Sequence, residues 1–172
     1  MTKRLASCVA LFLALSLGTP GAAQQEMVFS PAVVEACLFD LAQGSDPETC
    51  IGASANACMD SFPGGSTTPG MAECFFEEGK YWDDRLNAAY KKIRVGAQAF
   101  DADMQEIGSS AASQADALRD MQRAWIAYRD ATCAYEYTLW GGGTGGGPAI
   151  NACHMNMTAK QALYLESLEG LN

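Results

Sequence analysis

The chain has 172 residues, of which 11 are basic and 20 are acidic, and its formal net charge at pH 7 is −9. A surplus of acidic residues repels the phosphate backbone of nucleic acid and anionic membrane surfaces, so no nucleic-acid partner is expected and a cationic partner is favoured. The length corresponds to one domain with a hydrophobic core of its own.

The N-terminus has the pattern of a secretory signal. Two basic residues precede an apolar run over residues 5–17, and small residues end at Ala23. The run is too short for a membrane span, which takes about 20 apolar residues. We therefore predict a signal peptide over residues 1–23, a periplasmic or secreted location, and a mature chain without membrane insertion. Cleavage would leave 9 basic and 20 acidic residues, a net charge of −11.

Six of the seven cysteines lie after the predicted cleavage site. An even number of cysteines in an exported chain is typical of disulfide bridges, and no pair has the CxxC spacing of a zinc site. We therefore expect three bridges, no metal and no cofactor, although the count alone does not select the pairing. The six residues are Cys37, Cys50, Cys58, Cys74, Cys133 and Cys153.

The first part of the mature chain predicts a short helical hairpin over residues 30–60. A Ser-Pro pair at residues 30–31 forms an N-cap followed by proline at the first helical position, and Gly44 ends that helix. An Asp-Pro pair at residues 46–47 begins the second helix, which continues through Cys58.

Two long antiparallel helices form the backbone of the predicted all-α fold. After a loop rich in glycine and proline, apolar side chains recur at helical period over residues 69–107, with Gly96 as a point where this helix can break. The next helix begins at the cap Ser113 and ends at Trp140, because the glycine run over residues 141–147 follows. We interpret that run as a flexible hinge.

The helix that ends at Trp140 carries an uninterrupted seam. Its residues step by three and four, an a/d pattern that indicates the face buried against a neighbouring helix, and Trp125 at its centre is predicted to lie in the core. A last helix is predicted over residues 149–168, and a capping-box sequence at residues 158–161 suggests a restart within it. The seam consists of Leu118, Met121, Trp125, Tyr128, Thr132, Tyr135 and Leu139.

The residue types do not assemble into a catalytic site, so no enzymatic function is expected. The only histidine, His154, has no recognisable partner in the sequence. The acidic pairs at residues 77–78 and 83–84 point in different directions on a helix, which favours a solvated helix face over an acid pair for sugar hydrolysis. The glycine run at residues 141–147 lacks the Gly-Lys-Ser/Thr ending of a phosphate loop and follows a helix rather than a strand.

Three blocks of the sequence together resemble the LprI-like lysozyme-inhibitor domain family, formerly a domain of unknown function. They are residues 58–74, residues 82–90 with "LNAAY", and residues 121–133 with "QRAWIAYRDATC". The resemblance covers about residues 58–168. Within these blocks we expect the Arg129 side chain to form an ion pair across the boundary between the two long helices, with an acid such as Asp84. The residues singled out as the structural motif are Trp82, Asp84, Asn87, Tyr90, Arg123, Trp125, Tyr128, Arg129 and Asp130.

The resemblance implies a division of the mature chain into an N-terminal hairpin extension, residues 24–57, and an LprI-like helical domain, residues 58–172. It implies no catalytic residue. It also implies two disulfides, which leaves the two cysteines outside the family pattern to pair with each other. The implied bridges are Cys58–Cys74 and Cys133–Cys153, with Cys37–Cys50 as the remaining pair.

Two functions follow as alternatives. One is an exported inhibitor that binds a cationic lysozyme stoichiometrically, for which charge complementarity would assist association. The other is a structural or interaction protein of the cell envelope, with a different partner and no lysozyme activity. A sugar-binding cleft would be entered by a loop, and residues 62–68 and 141–148 are the two candidates. The second is favoured because Tyr137 and Trp140 beside it can act as aromatic anchors; with Thr144 they form the predicted partner-binding set.

Overall fold

The computed structural model describes residues 27–169, so the predicted signal peptide lies outside the described residues. The described part has five α-helices and no strand, which confirms the all-α class. None of the helices in this described part has the length and apolar character of a membrane span. The helices are α1 (Ala32–Asp40), α2 (Ala53–Asp60), α3 (Thr68–Glu106), α4 (Gln114–Thr138) and α5 (Gly146–Leu168).

The three long helices form an up-down-up bundle. α4 returns antiparallel to α3 after a short loop, so the two predicted long antiparallel helices are confirmed. α5 runs parallel to α3 and packs against it more extensively than α4 does. The Asn151 amide donates to the carbonyl of Ala72 at 2.8 Å, and farther along both helices Arg85 pairs with Glu166 at 2.7 Å. The principal helix pair of the fold is therefore α3 with α5.

The N-terminus of α4 is capped from two sides. The hydroxyl of Ser113 accepts a hydrogen bond from the Asp116 N–H at 3.1 Å, which confirms the predicted cap. The carboxylate of Asp101, on α3, accepts from the Ser113 hydroxyl at 2.6 Å and from the N–H groups of Gln114 and Ala115 at 2.7 and 3.1 Å. These hydrogen bonds lower the pKa of Asp101, and the bond from the Ser113 hydroxyl has the largest effect.

The predicted second helix of the N-terminal hairpin is in fact two elements. A 3₁₀ turn, Pro47–Cys50, is followed by α2, and Gly52 lies between them with φ of 90°. Only glycine adopts this left-handed conformation without a steric penalty, so Gly52 turns the chain and separates the two elements. The prediction of one continuous helix was wrong because the turn depends on a single backbone angle.

A carboxylate from α3 caps the N-terminus of α2. Glu78 is 0% exposed; its Oε1 accepts from the Gly52 N–H at 2.7 Å and the Trp82 indole N–H at 2.9 Å, and its Oε2 accepts from the Ala55 N–H at 2.6 Å. The prediction of a solvated face for residues 77–78 is therefore wrong for Glu78. Consecutive helical residues point about 100° apart, so Glu77 remains near the surface while Glu78 enters the interior.

α5 is continuous, and the predicted restart at residues 158–161 was wrong. Thr158 is buried in the middle of the helix, and the Gln161 amide donates to the side-chain oxygen of Gln122 on α4 at 3.1 Å. A capping box would require the Gln161 side chain to return to the Thr158 N–H instead. α3 is likewise continuous through Gly96.

The predicted seam of α4 describes only its first half. Leu118 is buried and Trp125 is partly buried against the core, but Tyr128, Tyr135 and Leu139 are 64%, 65% and 67% exposed. A straight α-helix drifts by about 20° per heptad from a 3.5-residue repeat, so the buried line moves off the predicted one toward the C-terminus. The α4 residues that face the bundle are Leu118, Gln122, Trp125, Arg129 and Cys133.

The hairpin and the bundle share one core. Val34 of α1 and Cys50 of the 3₁₀ turn belong to the same buried cluster as Trp82, Ile93 and Leu165. The fully buried tryptophan at the centre of this core is Trp82, on α3, rather than Trp125. The structure contains the two disulfides that the resemblance implies, Cys58–Cys74 and Cys133–Cys153, and also Cys37–Cys50, the pair left outside the family pattern.

Candidate functional site

The lone histidine lies in a cavity of about 300 Å³ between α3, α4 and α5. Burial lowers the pKa of His154, as does the charge of Arg129, while Asp130 opposes the shift. The lining also includes the hydroxyl of Thr158 and the charged side chains of Lys80, Asp83 and Arg129. Among residues 27–169, no group of three histidine, cysteine, aspartate or glutamate side chains could hold a metal ion.

Arg129 does not pair with Asp84, so that prediction is wrong. The Arg129 guanidinium is 2.9 Å from Oδ1 of Asp130, its Cζ is 5.0 Å from the ring centroid of Trp125, and its Nη1 is 3.5 Å from the hydroxyl of Thr158. Asp84 is exposed on α3. Because α4 turns Arg129 toward α5, this motif residue joins α4 to α5 rather than to α3.

An exposed aromatic segment lies at the end of α4, and we call it the aromatic tip: Tyr137, Leu139, Trp140 and residues 141–144. The side chains of Tyr137, Leu139 and Trp140 are 46%, 67% and 51% exposed, and Thr144 is exposed as well. No charged residue occurs between Tyr137 and Pro148. The tip is thus an apolar and uncharged projection on an acidic protein.

Two glycine residues fix the rings of the tip. A Cβ atom on Gly145 would lie 2.1 Å from Cζ3 of Trp140, and one on Gly146 would lie 2.7 Å from Cε2 of Tyr137. Each ring therefore lies directly on glycine backbone, in space that any other residue would fill. The N–H of Gly143 donates to the Trp140 carbonyl at 2.8 Å, and the N–H of Gly146 donates to the Gly143 carbonyl at 3.1 Å. The glycine run thus forms hydrogen-bonded turns, and its interpretation as a flexible hinge stays a prediction.

The base of the tip is closed covalently. The disulfide Cys133–Cys153 joins α4 to α5 below the tip, and α5 begins at Gly146, inside the glycine run. Gly141 and Gly142 have φ of 56° and 82°, which permits the sharp turn between the helices. The predicted set Tyr137, Trp140 and Thr144 therefore lies on the last turn of α4 and the short connection to α5, and the disulfide joins the two helices below it.

The other candidate loop, residues 62–68, is packed against the protein. Phe62 is partly buried against the core, and the hydroxyl of Thr67 accepts from the Gly70 N–H to cap α3. A Cβ atom on Gly65 would lie 1.8 Å from the carbonyl oxygen of Met59. This loop does not project as the aromatic tip does.

Two tyrosines that the seam placed in the core extend the exposed aromatic surface along α4. Tyr128 and Tyr135 are 64% and 65% exposed, and Leu139 of the tip follows Tyr135 one helical turn later. A helical period of 3.6 rather than 3.5 residues moves these positions away from the core line and is the signal that could have found them. We call Tyr128 and Tyr135 the tyrosine face.

The sequence profile of the family described as "Lysozyme inhibitor LprI" matches residues 58–165. The chain is 26% identical over 157 residues to an uncharacterized 17.7 kDa protein in the puhA 5′ region of Rhodobacter capsulatus, covering 90% of this chain and 93% of that protein. It is 30% identical over 95 residues to an uncharacterized protein of Rhizobium meliloti (strain 1021), covering 55% of this chain and 68% of that protein. No solved structure matches.

Proposed function

Because the chain belongs to the LprI family of lysozyme inhibitors, we propose that it is an exported protein that inhibits a lysozyme by forming a stoichiometric complex. The family match over residues 58–165 is the observation that carries this function. Three disulfides are consistent with export, since such bridges persist in oxidising compartments. The partner-binding surface in this proposal is the aromatic tip, with the tyrosine face beside it.

The chemistry of a lysozyme cleft favours the aromatic tip as the part that enters it. Glycoside hydrolases of this kind flank the scissile bond with two carboxyl groups, which repel a segment of negative charge. The tip carries no charge, and Trp140 and Tyr137 are residue types that dominate the energetics of protein interfaces. Their rings are already held on Gly145 and Gly146, so little side-chain entropy remains to be lost on binding.

The acidic surface has a separate role in this proposal. The net charge of −11 on the chain from residue 24 onward would attract a cationic lysozyme at long range. Such charge complementarity raises the association rate and selects the partner more than it adds affinity. The acidic residues nearest the tip in sequence are Asp130 and Glu136, and Glu136 directly precedes Tyr137.

A turbidity assay with bacterial cell walls and a hen-type lysozyme tests the proposal. We expect inhibition that saturates at one inhibitor per lysozyme and leaves the lysozyme chain intact. Trp140→Ala should weaken inhibition at least tenfold, since interface anchors cost about 2 kcal/mol or more when truncated. Tyr164→Ala is the matched control, because Tyr164 is 48% exposed, close to the 51% of Trp140, but lies on α5 away from the tip.

The outcomes separate the surface from the function. Inhibition that Trp140→Ala leaves unchanged would remove the aromatic tip from the contact. Absence of inhibition, together with absence of binding by surface plasmon resonance at about 20 mM salt, would remove the inhibitor function. An envelope interaction protein with another partner would then be the remaining alternative.

A further inference from the structure

A groove between α3 and the N-terminal half of α4 collects motif residues that the proposed lysozyme contact does not use. Its volume is about 490 Å³. Asn87, Tyr90 and Arg94 line it from α3, and Gln122 and Arg123 line it from α4. Four of these five residues belong to the "LNAAY" and "QRAWI" blocks. Two of the blocks that carry the family resemblance therefore meet at one surface.

This groove is basic on a protein that is acidic as a whole. Arg119, also in the lining, pairs with Asp116 and Asp120, but across residues 27–169 neither Arg94 nor Arg123 forms an ion pair. One acidic residue, Asp116, lines the groove beside the three arginines. Two unpaired guanidinium groups beside one groove create a local field that attracts an anion.

Neutral groups complete the lining. The side-chain oxygen of Gln122 accepts from Gln161 at 3.1 Å, so its NH₂ group is the donor left for the groove that Gln122 lines. Tyr90 and Ile126 supply apolar surface beside these donors. The groove thus combines hydrogen-bond donors with an apolar wall for the body of a ligand. Among its lining residues, Asp116 is the one carboxylate that would repel an anion.

We propose that this groove binds a small ligand that carries two negatively charged oxyanion groups, either carboxylates or phosphates. The planar fork of an arginine side chain binds both kinds of oxyanion in a bidentate manner. The volume lies in the range of about 300–1,000 Å³ that small-ligand sites occupy and exceeds the needs of a single ion. At 1.5 Å per helical residue, Arg123 is about 25 Å from Trp140 along α4, so the groove is distinct from the aromatic tip.

Isothermal titration calorimetry on the mature protein tests this site with two probes, a tri-glutamate peptide and inorganic pyrophosphate, at about 20 mM salt. We expect saturable one-to-one binding of at least one probe, and the responding probe distinguishes carboxylate from phosphate ligands. Arg94→Gln and Arg123→Gln should each weaken that binding tenfold or more. Lys91→Gln is the matched control, because Lys91 is exposed on the same helix as Arg94 but outside the groove, and it should change binding less than twofold.

Two outcomes would overturn the site. No saturable binding of either probe at concentrations up to about 10 mM would do so, since two Arg–oxyanion contacts are expected to exceed a millimolar affinity. An equal loss in Lys91→Gln would show that the probes respond to overall charge rather than to the groove. Trp140→Ala should bind the probes like the parent, because the groove is distinct from the aromatic tip. The binding test therefore does not depend on whether the lysozyme proposal holds.

Discussion

The buried carboxylate of Glu78 ties the N-terminus of α2 to α3, and its replacement should be among the most costly single changes in the protein. Glu78→Gln keeps the shape of the side chain but replaces one oxygen by an NH₂ group. Since Oε1 serves both Gly52 and Trp82, the amide oxygen should take that position. The NH₂ group then faces the N–H of Ala55, donor against donor, where Oε2 accepts a hydrogen bond at 2.6 Å.

The magnitude follows from these three bonds. A hydrogen bond to a charged group contributes about 1.5–3 kcal/mol, and a buried donor left unsatisfied costs about 1–3 kcal/mol. The bonds from Gly52 and Trp82 persist but lose their charge assistance. Burial of a neutral amide costs less than burial of a carboxylate, which offsets part of the loss. We expect the free energy of unfolding to fall by about 3 kcal/mol, a large fraction of the 5–15 kcal/mol typical of a domain.

Urea unfolding of the disulfide-intact protein, followed by circular dichroism, measures the loss. Glu77→Gln is the matched control, since Glu77 is the adjacent residue and pairs with Lys80 at the surface at 3.0 Å. Surface pairs of this kind contribute at most about 1 kcal/mol, so the control should lose less than that. Coincident urea curves for the two variants would show that the Glu78 cap does not stabilise the fold as reasoned.

Three further predictions concern the tip, the cap of α4 and the disulfides. Gly145→Ala should displace the Trp140 ring and change the tryptophan fluorescence, while the free energy of unfolding changes by less than about 1 kcal/mol because the obstructing atoms belong to a half-exposed side chain. Gly147→Ala is the control, because the space around Gly147 is open and the spectrum should stay unchanged. Identical spectra for both variants would contradict the ring contact. Because the pKa of Asp101 is lower in the folded state, its carboxylate stabilises the fold at pH values above its unfolded pKa of about 3.9, and this contribution is lost as the pH falls through the folded pKa. Asp101→Asn should therefore lower the urea midpoint at neutral pH, and the difference from the parent should disappear in acid. A difference in midpoint that does not depend on pH would contradict this linkage. Thiol titration of denatured, unreduced mature protein should find essentially no free thiol, and two or more per chain would contradict the three bridges.

Helix ends could be predicted because capping is local chemistry. The Ser113 cap is three residues from the N–H that it accepts from. The glycine run that begins at residue 141 predicts the end of α4 at Trp140, two residues beyond the observed end at Thr138. The predicted long helix over residues 69–107 agrees with α3 to within one residue at either end. Such signals require no knowledge of the tertiary structure.

What could not be predicted depends on contacts between distant residues. Glu78 lies one helical turn before Trp82 on the buried face of α3, but only the packing of α2 against α3 supplies the N–H groups that bind its buried carboxylate. The capping-box sequence at residues 158–161 is genuine as a pattern, but Gln161 finds a partner on α4. Tyr128 looked like a core residue because a 3.5-residue seam and a 3.6-residue helix agree over one heptad and diverge over two.

In the proposed complex, charge and contact belong to different parts of the molecule, and this division has kinetic consequences. An uncharged tip on an acidic body separates the long-range attraction of a cationic partner from the short-range contact with it. Long-range attraction acts on the association rate and is screened beyond about 10 Å at 0.1 M salt. In this proposal the contacts of Trp140 and Tyr137 with the partner would act on the dissociation rate, because Gly145 and Gly146 hold the two rings in place and a disulfide closes the base of the tip. Added salt should therefore slow the association of the proposed complex with little effect on its dissociation, while Trp140→Ala should accelerate dissociation with little effect on association. A tip that steered the encounter itself would reverse this pattern.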